Sequence, residues 1–360
     1  MKKKYIGVIA LIVIWAGLAL FAWFGPEKDI SVAERRTLAK MPELTLDSII
    51  NGRFMGDFED YTLDQFPLRD SFRSLKALNH RYIFGQKDNN GVYIADDHVA
   101  ELEYPLDEES VDHALKQFNL IHDLYLQDAE RVLVTVVPDK SYYLAAENGY
   151  PAMDHEALFT MVQEGMPWAE YVDITGALQL DDYYFTDTHW KQENIGPVAE
   201  VLADALGVTV EKEYTKTAIE KPFYGVYCGQ AALPLKPDTM YLMESQLLKD
   251  CRVYNYTTGA YTDVYDMTRL ESQDLYEVYL SGAQSLLRIE NPNAATDKEL
   301  IVFRDSYGSS LAPLLVQDYA AVTLVDARYI LPQMMGRFVD FEGKDVLFMY
   351  SSLVLNKNLI

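Results

Sequence analysis

The sequence predicts an α/β protein built on a mostly parallel sheet, and three features carry that prediction. Residues 132–137, 300–303, 321–325 and 345–350 are short, predominantly apolar runs, the pattern of strands buried on both faces. Stretches of helical periodicity separate such runs. The clearest, 107–127, opens on acidic residues and lines up Val111, Ala114, Leu115, Phe118, Ile121, Leu124 and Tyr125 on one face. It leads almost directly into the 132–137 run, which Pro138 stops, and helix followed by buried strand is the alternation of a layered α/β fold.

Composition sets the outer bounds. A chain of 360 residues, 49% hydrophobic and 24% charged, has enough apolar material for a large core. Its net charge of -24 argues against nucleic acid as a partner, because phosphate binding needs a basic surface; the charge serves solubility and self-repulsion instead.

The elements follow in chain order. Lys2, Lys3 and Lys4 precede an uncharged run that Pro26-Glu27-Lys28-Asp29 closes. As a helix, residues 5–24 would span roughly 30 Å, enough to cross a bilayer. The lysines then stay cytoplasmic and the rest of the chain lies outside, which makes 1–25 a single-pass anchor. A cleaved signal peptide is the competing reading, but its apolar core is usually shorter, and no small-x-small site follows Phe21. Residues 26–90 read as a connector ending near Pro42 and two amphipathic helices, 52–66 and 71–82. In 91–207, the first part of the α/β domain, a hairpin strand at 91–97 precedes the strong helix and strand. A helix at 158–166, a strand at 171–174 and a helix at 192–206 follow, with Pro197 implying a start near Gly196 or a kink. His113 and His122, on the long helix, are read as solvated or edge positions.

Residues 208–290 change texture, with threonine and tyrosine alternating at 253–256 and 275–279 between turn signals Thr258-Gly259 and Ser281-Gly282. They read as a β-rich insertion. Residues 291–360 resume the α/β domain, with connecting helices expected at 311–315 and 330–338. Cys228 and Cys251 form a candidate disulfide outside the cytoplasm, although sequence does not give their Cα separation. Two cysteines without clustered histidines do not suggest a metal, and no cofactor is implied.

Two stretches carry chemistry. Thr186-Asp187-Thr188-His189-Trp190 puts a carboxylate and an imidazole two positions apart at the foot of an expected helix. Far downstream, Phe303-Arg304-Asp305-Ser306-Tyr307-Gly308 ends an apolar strand in a serine followed by small residues. Open α/β sheets place ligand groups at the carboxyl ends of their strands. A serine there can be a nucleophile, His189 its base and Asp187 the group that fixes the ring's tautomer. Asp187 and His189 need a bent strand-to-helix loop, because residues i and i+2 of a helix face apart. A helix opening at Tyr307-Gly308-Ser309-Ser310 would aim N–H groups, that of Ser306 included, at an oxyanion. Gly229 and Asn291, with Asn293 beside it, are further candidates for the oxyanion hole. Arg304 and Asp305 read as positioning residues, Arg304 also as a substrate contact. Trp190 is either packing or a sugar platform. Lys140, after Pro138-Asp139, is either a surface lysine or a contact for an anionic substrate.

With these stretches, the chain resembles the DHHW proteins and the periplasmic alginate O-acetyltransferases, whose Asp-x-His motif precedes the serine. Asp187-Thr188-His189-Trp190 stands where the family name has Asp-His-His-Trp, keeping acid and base. Ser31, Glu34-Arg35-Arg36 and Pro42, the stretch 61–70, Val325-Asp326-Ala327-Arg328-Tyr329 and Asp345-Val346-Leu347 resemble the DHHW group more than the alginate enzymes. The similarity covers about residues 31–356. It implies an SGNH-hydrolase-like three-layer sandwich and an Asp187–His189–Ser306 triad acting on acyl esters of a cell-surface polysaccharide. The reading is an O-acyltransferase or esterase that forms an acyl-enzyme on Ser306; acyl-CoA is not available outside the cell, so a transferase would need a multi-pass membrane acyltransferase to supply acyl groups. A catalytically silent polysaccharide-binding or envelope-assembly protein on the same fold is the alternative.

Overall fold

The computed structural model describes residues 2–360, the side chains of Lys2, Lys3 and Lys4 excepted; the cytoplasmic placement expected for those lysines lies outside the described residues. The chain divides into two units, the smaller made of residues 1–90 and 228–235, the larger of 91–227 and 236–360.

In the smaller unit, helix α1 (Lys2–Phe24) contains a 20-residue span, Tyr5–Phe24, long and apolar enough to cross a membrane, and none of that span is buried against protein. Three helices follow: α2 (Leu46–Ile50), α3 (Arg53–Asp64) and α4 (Arg69–Leu78), the last continuing to Ile83 in one wider turn. Arg36 and Arg69 converge on the Asp64 carboxylate, and Arg69 and Arg73 on Glu34, joining the connector to α3 and α4.

The larger unit is organised by one eight-stranded sheet: β1 (Arg131–Val137), β2 (Glu170–Tyr171), β3 (Arg252–Asn255), β4 (Ala260–Thr262), β5 (Leu286–Glu290), β6 (Glu299–Arg304), β7 (Ala321–Val325) and β8 (Asp345–Ser351), in the order β4-β3-β5-β7-β6-β8-β1-β2. From β7 to β2 every pairing is parallel; β5, β3 and β4 add an antiparallel edge. Parallel strands must be covered on both faces, and two cores do so. One packs α5 (Gly196–Leu206) against Leu300, Val302 and Leu347. The other packs α6 (Glu108–Tyr125) and α7 (His155–Gly165) against Ile301, Phe303 and Phe348. Consecutive residues of β6 therefore face opposite cores, as strand alternation requires. This is the SGNH-hydrolase-like α/β sandwich that the motifs imply.

Several local expectations change. Three strands of the threonine- and tyrosine-rich region, β3, β4 and β5, extend the main sheet itself. Residues 275–279 alternate like a strand, yet Leu275–Val278 is a 3-10 turn, because the Asp274 side chain accepts from the Tyr276 N–H and caps it. The helix expected over 330–338 is one turn, Pro332–Met335. The edge strand β2 pairs over only two residues.

Cys228 and Cys251 are thiols rather than a disulfide. Cys251 is packed into the apolar core beside Leu248 and Val253, and burial pushes its thiol up to about 11.

Candidate active site

The parallel strand β6 ends at Arg304, and the chain turns at once. Asp305 enforces the turn: its Oδ1 accepts the Tyr307 N–H at 3.0 Å, and its Oδ2 accepts the N–H of Ser351, at the end of neighbouring β8, at 2.8 Å. Ser306 thus projects from the carboxyl end of the sheet, half-buried, ahead of the short helix Gly308–Leu311. A side chain at position 308 would place its Cβ 2.7 Å from Arg304 Cβ, so only glycine lets the chain double back this tightly. The Ser306 N–H meets no protein acceptor among the described residues, which leaves it open to an oxyanion.

Asp187 and His189 lie on a hairpin-like loop closed by the Tyr183–Trp190 bridge, rather than on a strand-to-helix connection. The bent geometry that the chemistry needs is nevertheless present. His189 Nδ1 lies 2.6 Å from Asp187 Oδ1, and His189 Nε2 lies 2.7 Å from Ser306 Oγ. The Asp187 carboxylate also accepts the His189 N–H at 3.1 Å and the Val226 N–H at 2.8 Å, so it is held in place and buried. Hydroxyl, imidazole and carboxylate form one continuous relay. With Nδ1–H donated to the carboxylate, Nε2 is free to accept the serine proton.

The loop is fixed from outside by groups that motif reasoning did not single out. Asp238 accepts from the Phe185 N–H (2.8 Å), the Thr186 N–H (2.9 Å) and the Thr186 hydroxyl (2.6 Å). Tyr276 stacks on His189 with ring centroids 3.8 Å apart and planes 8° from parallel. Burial pushes the Tyr276 phenol well above its ordinary range, so it stays a hydroxyl, hydrogen-bonded to Ser310 Oγ at 2.7 Å. Trp190 Nε1 donates to the same Ser310 oxygen at 2.8 Å. Asp238 is just another acidic residue in sequence, and Tyr276 is hidden in a pattern that reads as strand.

Gly225 comes closest of all to the loop. A Cβ there would lie 2.2 Å from the Thr186 carbonyl oxygen and 2.4 Å from the Asp187 nitrogen, both backbone atoms. Gly225→Ala should therefore displace Asp187. We expect modification of Ser306 by a serine-directed sulfonyl fluoride to slow about 100-fold, with about 1–3 kcal/mol lost in thermal unfolding. An unchanged labelling rate would mean that the loop does not depend on this approach.

The three candidate substrate contacts are all buried and face inward. Trp190 is fully enclosed and packs edge-on against Tyr307 at 5.2 Å, so it is packing rather than a sugar platform. Arg304 is fully enclosed, with Nη1 3.3 Å from the Asp305 carbonyl and Asp326 supporting its charge, while burial pulls its pKa down. Lys140 is also buried, and its Nζ donates to the carbonyls of Tyr184 and Phe185 at 3.0 and 3.3 Å. It tethers the start of the loop that carries Asp187 and His189. The remaining oxyanion candidates are also occupied elsewhere. Gly229 belongs to the smaller unit, packed so that a Cβ would fall 1.7 Å from the Ala33 carbonyl oxygen. Asn291 follows the antiparallel strand β5, whose last residue, Glu290, pairs with the first of β7. It therefore sits at the opposite end of the sheet from Ser306, more than roughly 17 Å away by strand rise. Its amide donates to Val316 and Gln317, its side-chain oxygen accepts from Asn293 N–H, and the Asn293 amide holds Asp250.

Burial pulls the Lys140 pKa down to about 7, although Asp187, Asp238 and Asp139 oppose the shift. Between that value and the ordinary lysine range the unfolded chain binds a proton that the native chain does not, so stability rises with pH. The expected slope is about 1.4 kcal/mol per pH unit from about pH 7 to 10. Denaturant unfolding across that window should show it, and Lys140→Met should flatten it; an unchanged slope would exclude this lysine as the source.

No family model and no curated protein matches the chain. Solved structures do. A DHHW family protein from Eubacterium siraeum aligns over 76% of this chain and 94% of its own, with a TM-score of 0.58 and 21% identity. Bacillus cereus PatB1, solved with a sulfonyl adduct, aligns over 74% and 96%, with a TM-score of 0.56 and 13% identity. A second PatB1 structure gives 74% and 98%, at 0.53 and 15%. The similarity to a DHHW protein holds at the level of the fold.

Proposed function

We propose that this chain is a membrane-anchored, extracytoplasmic O-acyltransferase, acting on a cell-surface polysaccharide through Ser306, His189 and Asp187. The observation that carries the reading is the continuous relay from Asp187 Oδ1 through His189 to Ser306 Oγ, at 2.6 and 2.7 Å. Ser306 Oγ bonds to the acyl carbonyl carbon while His189 Nε2 takes its proton. The negative carbonyl oxygen is received by the Ser306 N–H. The donor's ester bond then breaks, its oxygen leaves with the proton from His189, and the acyl group remains on Ser306. A carbohydrate hydroxyl, deprotonated by the same imidazole, attacks that ester and frees the serine. Asp187 keeps the ring in the reactive tautomer and stabilises the imidazolium that forms transiently within each half-reaction.

The choice of acyl group and acceptor rests on the motif resemblance to the DHHW proteins and the alginate O-acetyltransferases. Anchoring rests on α1, whose Tyr5–Phe24 span has the length and apolarity to cross a bilayer. A membrane acyltransferase that exports acyl groups would supply the donor. Feeding the purified full chain an acetyl ester and a bacterial polysaccharide tests the proposal. Acetylated glycan supports transfer, acetate alone makes the chain an esterase, and neither product with retained glycan binding makes it a binding protein.

A further inference from the structure

In the smaller unit, α4 and its continuation to Ile83 expose apolar side chains along one face: Leu68, Phe72, Leu75, Tyr82 and Ile83, with Phe84 just beyond. Large apolar side chains left in water outside α1 are more numerous between Ile30 and Phe84 than in the whole of the larger unit. A second observation concerns charge. Residues 68–87 contain Arg69, Arg73, Lys76, Arg81 and Lys87 against the single acid Asp70, in a chain of net charge -24. Arg69 and Arg73 are turned inward to Glu34, whereas Lys76, next to Leu75, is exposed with its Nζ donating to Asn90 Oδ1, and Arg81, next to Tyr82, is half-buried. Amphipathic helices of this kind lie in the headgroup region of anionic bilayers.

Position supplies the third argument. Lys28, shortly after α1 ends at Phe24, donates its N–H to Gln65 Oε1 at 2.9 Å, and Gln65 Nε2 returns a bond to the Lys28 carbonyl at 2.9 Å. Phe21 of α1 and Leu68, at the start of α4, line one cavity of about 470 Å³. The first turn of α4 is therefore held beside the last turns of the apolar helix. If α1 crosses the bilayer, as the proposed function has it, α4 starts at the bilayer surface.

We infer that the helix from Arg69 to Ile83 lies on the surface of the membrane that α1 crosses, its apolar face among the acyl chains and Lys76 and Arg81 against anionic phospholipid headgroups. The bilayer then carries the α3–α4 segment as a second attachment beside the anchor.

The test uses the full chain in vesicles of phosphatidylcholine, with and without phosphatidylglycerol, each doped with a diazirine phospholipid; adducts are mapped by peptide mass spectrometry. The inference predicts adducts on α1 and on residues 68–84, the latter increasing when phosphatidylglycerol is present. Replacing Phe72 and Ile83 by Asp should lower the adducts on 68–84 about tenfold, with those on α1 unchanged. Adducts on α1 without any on 68–84 would overturn the inference while leaving the anchor intact. Adducts on neither would overturn both. A cross-link from 68–84 to a membrane protein in native membranes, with no lipid adduct, would also overturn it, by assigning this face to a protein.

Discussion

Ser306→Ala is expected to lower acyl turnover on the order of 10⁶-fold, as loss of the nucleophile does in hydroxyl-based acyl transfer. Every other element of the site would survive the change. Asp305 would still fasten the turn to Ser351, and His189 would still be held by Asp187 and covered by Tyr276. Stability should therefore move by less than about 1 kcal/mol, since His189 Nε2 exchanges its bond to a half-buried hydroxyl for one to water. That separates loss of chemistry from loss of fold. The hydroxyl and the imidazole act as a unit, so Ser306→Ala combined with His189→Ala should cost little more than Ser306→Ala alone. Single-turnover kinetics with an activated acyl ester would read both variants. A double variant far slower than the single one would mean that His189 has a separate role.

Asp187→Asn should cost about 10⁴-fold in turnover by a different route. An amide in place of the carboxylate removes the charge that stabilises the imidazolium. It also changes the pattern of donors around the loop. The carboxylate accepts from three N–H groups: His189 Nδ1–H, the His189 backbone and the Val226 backbone. An asparagine can offer one acceptor oxygen, so its NH₂ must face either Val226 N–H or the imidazole. In the first case two donors oppose each other in a buried place, at about 1–3 kcal/mol. In the second the ring is driven to the tautomer whose Nε2 carries the proton and cannot accept from Ser306. Imidazole NMR would distinguish the two, and a variant retaining more than about a tenth of the activity would show that the carboxylate is not part of the relay.

The sheet was legible in the sequence because its central strands are buried on both faces. Nothing in 132–137, 300–303 or 321–325 has to satisfy solvent, so the runs are apolar but for the buried Thr135 and Thr323. The two loops were legible for a complementary reason: they are polar interruptions at the ends of such runs, where an open α/β sheet keeps its chemistry. What surrounds the loops was not legible. Lysine and arginine default to the surface, yet Lys140 is buried because two loop carbonyls wait for its Nζ, and Arg304 because the turn at Gly308 closes over it. Neither circumstance is visible locally. Tyr276 shows the same limit. Alternation at 275–279 suits a strand, and only the cap by Asp274 turns Tyr276 and Tyr279 into neighbours one 3-10 turn apart, their rings 5.0 Å from each other. Asn291 looked suited to an oxyanion hole until the antiparallel course of β5 carried it to the far end of the sheet.

The central claim is that Ser306 is an activated nucleophile, and covalent labelling tests it most directly. The full chain would be treated with a fluorophosphonate, digested, and the modified residue located by mass spectrometry. A single adduct on Ser306, lost when His189 is replaced by alanine, is the predicted result. An intact serine under conditions that label a known serine acyltransferase, or acyl transfer that persists in Ser306→Ala, would contradict it.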